Sequence, residues 1–158
     1  MVRIGITGHS NLTDSTAELV AEELRTILAG QPGHLVGVTC LARGADQVFA
    51  RVVLERGGAL EVVLPAKDYR ERKVKPDNVA DFDSLIAVAS VHTMPFAESN
   101  SDAYMAASEH VLSIVDKMVA VWDGGPSGGY GGTADVVDAA RDRGLDVTVV
   151  WPEHAARI

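Results

Sequence analysis

Six short apolar runs, each separated from the next by a stretch of helical periodicity, constrain this chain more than any other feature. The runs are VRIGIT (2–7), LVGVTCLA (35–42), LEVVLP (60–65), VHTM (91–94), KMVAVW (117–122) and VTVVW (147–151). Most are continuously apolar rather than alternating, the pattern of parallel strands covered on both faces. Between them, Leu19, Val20, Leu24, Ile27 and Leu28 form one helical stripe, stopped by Gly30 and Pro32. Val48, Phe49, Val52 and Val53 form another, ended by Gly57 and Gly58. Further stripes follow Pro76, span Ala107 to Val115 and run from Val136 to Ala140. Strand–helix alternation from end to end predicts an α/β fold with a doubly wound, mostly parallel, Rossmann-like sheet. A length of 158 residues suits a single domain spanning 1–158.

Composition excludes several classes of function. The chain carries 22 acidic against 14 basic residues, a formal net charge of −8. Such a surface repels phosphate backbones as a whole, so the expectation is no nucleic-acid partner. A small anionic ligand remains open if backbone amides hold it. No run approaches the roughly 18 apolar residues of a membrane span, and MVRIGITGHS lacks the layout of a signal peptide. The single cysteine, Cys40, cannot form an internal disulfide and fits a cytoplasmic protein. Within VGVTCLA it reads as a small buried hydrophobe. The five histidines show no metal-ligand spacing, so no metal site is expected. Lys67, Arg70, Arg72, Lys73 and Lys75 cluster within 66–76, either a solvated loop and helix end or a lid over an anionic ligand.

In an open parallel sheet, ligands collect beyond the carboxyl ends of the strands, where the strand order switches. Three unusual loops share that location: TGHSN (7–11), ARGAD (42–46) and DGGPSGGYGGTADVV (123–137). The last packs six glycines into the nine positions from Gly124 to Gly132. So much glycine is costly to order, which suggests a backbone kept bare for close approach. Each loop leads into a helix, whose N-terminus offers free amides and partial positive charge. Together they would form an anion-binding crevice. The candidate ligand-binding residues are Gly8, His9, Ser10, Arg43, Gly44, Asp46, Gly131, Gly132 and Thr133. Thr133 is expected to cap its helix through the hydroxyl. Arg43 either donates to phosphate or pairs at a helix start, and His9 either orders its own loop or touches ligand. Trp122 and Trp151 read as caps on the core. GITGHS is not G-x-G-x-x-G and no Walker sequence occurs, which weakens dehydrogenase and NTPase readings.

Taken together, GITGH, LARGAD and GGYGGTADVV, with VLP at 63–65 and AVWDG at 120–124, resemble the SLOG superfamily over nearly the whole chain. That group includes the Rossmann domains of DNA-processing protein A and the LOG phosphoribohydrolases. The resemblance is strongest to small stand-alone bacterial nucleotide-binding members. It implies a phosphate site at Gly131, Gly132 and Thr133, no required cofactor, and a homodimer. Two positions depart from the pattern. Relatives often carry arginine where Ser10 stands. LOG hydrolases carry P-G-G-x-G-T-x-x-E, and the glutamate position here is Val136, with Asp135 one residue early. The expectation is therefore a cytoplasmic sensor or carrier of a nucleotide or nucleotide derivative. The alternative is a phosphoribohydrolase acting on nucleoside 5'-monophosphates, with Asp135 or Arg43 as catalytic candidates.

Overall fold

The computed structural model describes residues 1–158. The chain alternates β1 (Val2–Gly8), α1 (Asp14–Ala29), β2 (Leu35–Thr39), α2 (Ala45–Glu55) and β3 (Ala59–Leu64). It continues with α3 (Tyr69–Lys73), α4 (Val79–Ile86), β4 (Ala89–Thr93), α5 (Ser101–Ile114), β5 (Lys117–Val121), α6 (Thr133–Asp142) and β6 (Asp146–Val150). The six strands form one sheet in the order β4-β3-β2-β1-β5-β6, and every pairing is parallel. The doubly wound α/β architecture expected from the apolar runs is what the chain adopts.

The sheet is buried from both sides. Val20, Leu24 and Leu28 of α1, Phe49 and Val53 of α2, and Phe82 and Leu85 of α4 pack with Ile4 and Ile6 of β1 on one face. Met105, Val111 and Leu112 of α5 and Val136 and Ala140 of α6 pack with Val36, Val38 and Met118 on the other. Removing that apolar surface from water, at roughly 25 cal/mol per Å², is the main force holding the layers together. From β1 the chain winds outward through β2, β3 and β4. After α5 it returns to the other side of β1 and winds outward again through β5 and β6. The winding reverses between β1 and β5, so the carboxyl ends of those two strands border the switch-point crevice.

Each strand falls within a residue of its expected bounds except two. The run LVGVTCLA leaves the sheet after Thr39, because the Thr39 hydroxyl accepts the Leu41 amide at 2.9 Å. Leu41 itself adopts φ +60°, a left-handed conformation that turns the chain away from the ladder. The fourth strand, expected at 91–94, runs Ala89–Thr93 and is exposed at its last four residues. It is an edge strand, so the double cover expected of the apolar runs belongs to the inner strands.

Candidate functional site

Beyond β1 and β5 lies a cleft of about 290 Å³. It brings together seven of the nine expected ligand-binding residues: Gly8, His9 and Ser10, then Asp46, then Gly131, Gly132 and Thr133. Arg43 and Gly44 do not line it. The Arg43 guanidinium points away and pairs with Asp77, at 3.1 and 2.9 Å. Gly44 serves the site from behind. It adopts φ +84°, and a Cβ there would lie 2.7 Å from the carbonyl oxygens of both His9 and Ser10. Only glycine lets the second loop press so closely on the first.

The long glycine loop is held by its own polar groups. Thr133 does not cap α6; Gly132 occupies the cap position in an extended conformation, and Thr133 is already inside the helix. Residues further away cap instead. The Ser127 hydroxyl accepts the Asp135 amide at 3.1 Å, while the Asp135 carboxylate reaches back to accept the Gly131 amide at 2.9 Å. This reciprocal arrangement resembles a capping box. The Trp122 indole donates to the Gly125 carbonyl at 2.9 Å, so this tryptophan braces the loop. What remains is informative: the amides of Thr133 and Ala134 have no protein acceptor, and both residues line the cleft. Unpaired first-turn amides carry the partial positive charge of the helix end.

His9 is buried, with its ring edge-on to Trp151 at 5.7 Å. Burial lowers its pKa, Arg157 lowers it further, and Asp123 opposes them only in part. The imidazole is therefore neutral near pH 7. Its Nε2 accepts the Asp123 amide at 3.1 Å, which assigns the proton to Nδ1. The 3.2 Å approach of Nε2 to the Asp123 carboxylate is accordingly not an ion pair. His9 thus orders its loop against the start of the glycine loop.

Asp46 supplies the only carboxyl group on the cleft wall. It is buried and accepts the Ala42 amide at 3.1 Å. Burial pushes its pKa up to about 7, against the pull of the Ala42 amide and the Thr39 hydroxyl. The adjacent Cys40 thiol is also raised by burial and stays protonated. At the other wall, Val136 rather than Asp135 faces the cleft.

Several cleft residues escaped the sequence reading. Tyr104 and Ser108 of α5 line it, and their i, i+4 spacing puts both on one helix face. That spacing was legible, but nothing marked the face as functional. Arg157, from the segment after β6, is the only lysine or arginine on the wall, and no motif announces it. The basic segment 66–76 forms α3 and the turn after it. Lys73 and Lys75 line a second cleft of about 640 Å³ with Arg43 and Tyr69. Ser10, Ala42 and Tyr104 belong to both clefts, so the two are continuous.

No family model matches the sequence, and a search of curated proteins finds no match. Solved structures do share the fold. The chain is similar to DNA processing protein A of Streptococcus pneumoniae, with a TM-score of 0.73 and 16% identity over 98% of this chain and 52% of that one. It thus spans about half the length of that neighbour. It is also similar to DNA processing protein A of Helicobacter pylori, whose structure concerns a single-stranded DNA binding mode. There the TM-score is 0.67 and identity 13%, over 99% of this chain and 68% of the other. A third neighbour is the Moco carrier protein of Chlamydomonas rheinhardtii, at TM-score 0.56 and 16% identity, over 94% of this chain and 74% of that one. The neighbours overturn the expectation of no nucleic-acid partner. That expectation rested on the net charge of −8, which does not set the field at one cleft.

Proposed function

We propose that this chain, which has the SLOG-type Rossmann-like fold, binds the phosphate of a nucleotide or nucleotide derivative in the switch-point cleft. The observation that carries this reading is the pair of unpaired amides, Thr133 and Ala134, opening into a glycine-lined cleft at the start of α6. An anion placed there meets donors that have no competing partner, along the favourable direction of the helix dipole. Gly131 and Gly132 leave that approach free of side chains. Tyr104 and the neutral His9 line the same cleft and suit the uncharged part of a nucleotide.

The reading is of a carrier or sensor rather than a hydrolase. Stabilising an oxocarbenium-like transition state calls for a carboxylate beside the sugar. The pattern's acid position holds Val136, which is 3% exposed, while Asp135 is occupied in tying down Gly131. Thermal melts with mono-, di- and trinucleotides and with dinucleotides such as NAD test the binding. A ligand at a hundred times its Kd stabilises the native state by about 2.7 kcal/mol. No shift across the panel at millimolar ligand would refute the reading.

A single strand of nucleic acid is the second reading, favoured by one observation. The first cleft continues past Ser10 and Tyr104 into the second, where Lys73, Lys75 and Arg43 sit beside the Tyr69 ring. Cations along a groove with aromatic walls suit a single strand. Fluorescence anisotropy with a labelled thymidine oligonucleotide separates the two readings. Binding that weakens steeply with salt and falls in a Lys73→Glu, Lys75→Glu variant supports the strand; no binding at low salt excludes it.

A further inference from the structure

The segment after β6 does not trail into solvent. A turn closed by the Ala155 amide on the Pro152 carbonyl at 3.0 Å, with His154 at φ +70°, reverses the chain. The following residues lie antiparallel to the loop after β1, with Leu12 paired to Arg157. Backbone and side-chain bonds stitch them down. The Thr13 amide donates to the Ala156 carbonyl at 3.3 Å, and the Ile158 amide to the Asn11 carbonyl at 2.7 Å. The Ala156 amide donates to the Thr16 hydroxyl at 2.8 Å, and Thr16 is fully buried. The strap is thereby fixed to the first turn of α1, and it delivers one side chain to the cleft.

That side chain is Arg157. Its Nε donates to the Asn11 amide oxygen at 2.9 Å and one terminal nitrogen donates to Asp123 at 3.3 Å. A guanidinium has five N–H donors in a fixed fork, so three remain without a protein acceptor. The head is about 40% exposed and is the only cation lining the cleft that holds the free amides of Thr133 and Ala134. Asn11 and Asp123 lie at the ends of the first and third strand-end loops, so their two bonds hold the fork where those loops meet.

We propose that Arg157 is the anion-gripping side chain of the switch-point cleft, supplying the full positive charge that the α6 amides lack. The proposal rests on the phosphate-binding reading above and assigns one residue to it. Arg157 then recognises a phosphate ester through charge-assisted, forked donation, and the strap fixes the fork before ligand arrives. The Arg157 charge, after burial, helps keep the His9 ring neutral, so Arg157 is the cation at this wall. The Asp123 carboxylate, held ionised mainly by the Gly125 amide, orients the guanidinium from the side.

Isothermal titration of wild type, Arg157→Gln and Arg157→Lys with AMP, adenosine and inorganic pyrophosphate tests this, with ligand-free melts as the check on folding. The expected result is a loss of about tenfold or more in affinity for AMP and pyrophosphate in Arg157→Gln, the scale of one charged hydrogen bond. Adenosine affinity is expected to stay unchanged, and Arg157→Lys to fall in between. Either folded variant binding AMP as tightly as wild type overturns the proposal and leaves the nucleotide reading standing. Equal weakening toward adenosine and AMP also overturns it, making Arg157 a structural residue of the strap. Wild type that binds neither AMP nor pyrophosphate overturns the proposal, while the nucleotide reading still stands or falls on the full panel of melts.

Discussion

Replacing Asp46 with asparagine is expected to make the protein's stability markedly less sensitive to pH. The side chain is buried, and its pKa stands at about 7 rather than the ordinary 3.8, chiefly because burial penalises the charged form. An acid whose pKa is higher folded than unfolded binds a proton more tightly in the native state. It therefore contributes stability fully below about pH 4, loses it as pH rises, and contributes none above about pH 7. The gap between 3.8 and about 7, at about 1.4 kcal/mol per pH unit, amounts to about 4 kcal/mol in all. Across the practical range from pH 5 to pH 8, about 3 kcal/mol of that is lost. Asparagine keeps the shape and a carbonyl to accept the Ala42 amide but has no proton to lose. Urea unfolding of both proteins at each pH should show the wild-type stability falling by about 3 kcal/mol relative to Asp46→Asn between pH 5 and pH 8. A difference that stays flat, or grows in favour of wild type as pH rises, would refute the reasoning. Because Asp46 lines the cleft, nucleotide affinity should also decline from pH 6 to pH 8 in wild type. The ionised carboxylate then faces the phosphate.

Other substitutions read other parts of the site. Gly44→Ala forces a Cβ into a left-handed residue and to within 2.7 Å of two backbone carbonyls, so a destabilisation of about 3 kcal/mol is expected. For a chain of this size that lowers the melting temperature by about 6–12 °C; a loss under about 2 °C would mean the two loops part easily. Gly131→Ala should cost stability because of its φ of +87°, whereas Gly132→Ala, at φ −71°, should be strained only by close contact, with the Ser127 side chain at 2.9 Å and the Gly129 carbonyl at 3.3 Å. Melts of the two variants should rank in that order, and titration with a nucleotide found to bind should show both weakened. Release of free adenine from AMP should be undetectable in wild type and measurable in Val136→Glu. Turnover by wild type that vanishes in Asp46→Asn would instead make Asp46 the working acid.

The layer order and the strand-end location of the site were legible because both follow from local rules. Continuous apolar runs separated by 3.6-residue stripes leave little besides a covered parallel sheet, and such a sheet has one switch point. What the sequence concealed was the use of individual side chains. Thr133 has the chemistry of a cap, yet the reciprocal pair of Ser127 and Asp135 does that work from eight residues apart. Arg43 has the chemistry of a phosphate donor, yet Asp77, 34 residues away, claims both ends of its fork. Arg157 carries no pattern at all, since its placement depends on hydrogen bonds from the strap to Asn11, Thr13 and Thr16, more than a hundred residues earlier. Local spacing predicts elements; it does not predict which distant partner reaches a side chain first.

Net charge is a poor guide to this cleft for a related reason. A net charge of −8 is a sum over the whole surface, whereas an ion in water at physiological salt responds mainly to charges within about 8 Å. Many of the acidic groups are spent locally: Glu55 on Arg25, Asp83 on Arg70 and Glu109 on Arg143. At the crevice the balance differs. Asp46 is half-protonated near pH 7, Asp135 is directed at the Gly131 amide, and Asp123 is shared between Gly125 and Arg157. Against these stand Arg157, the α6 amides and, in the continuing cleft, Lys73 and Lys75. A phosphate approaching from the carboxyl edge of the sheet therefore meets unpaired donors and a cation that the net charge does not reveal. That contrast favours ligands which seat one or a few phosphates at the crevice over long duplexes, whose backbone must also lie across the acidic surface.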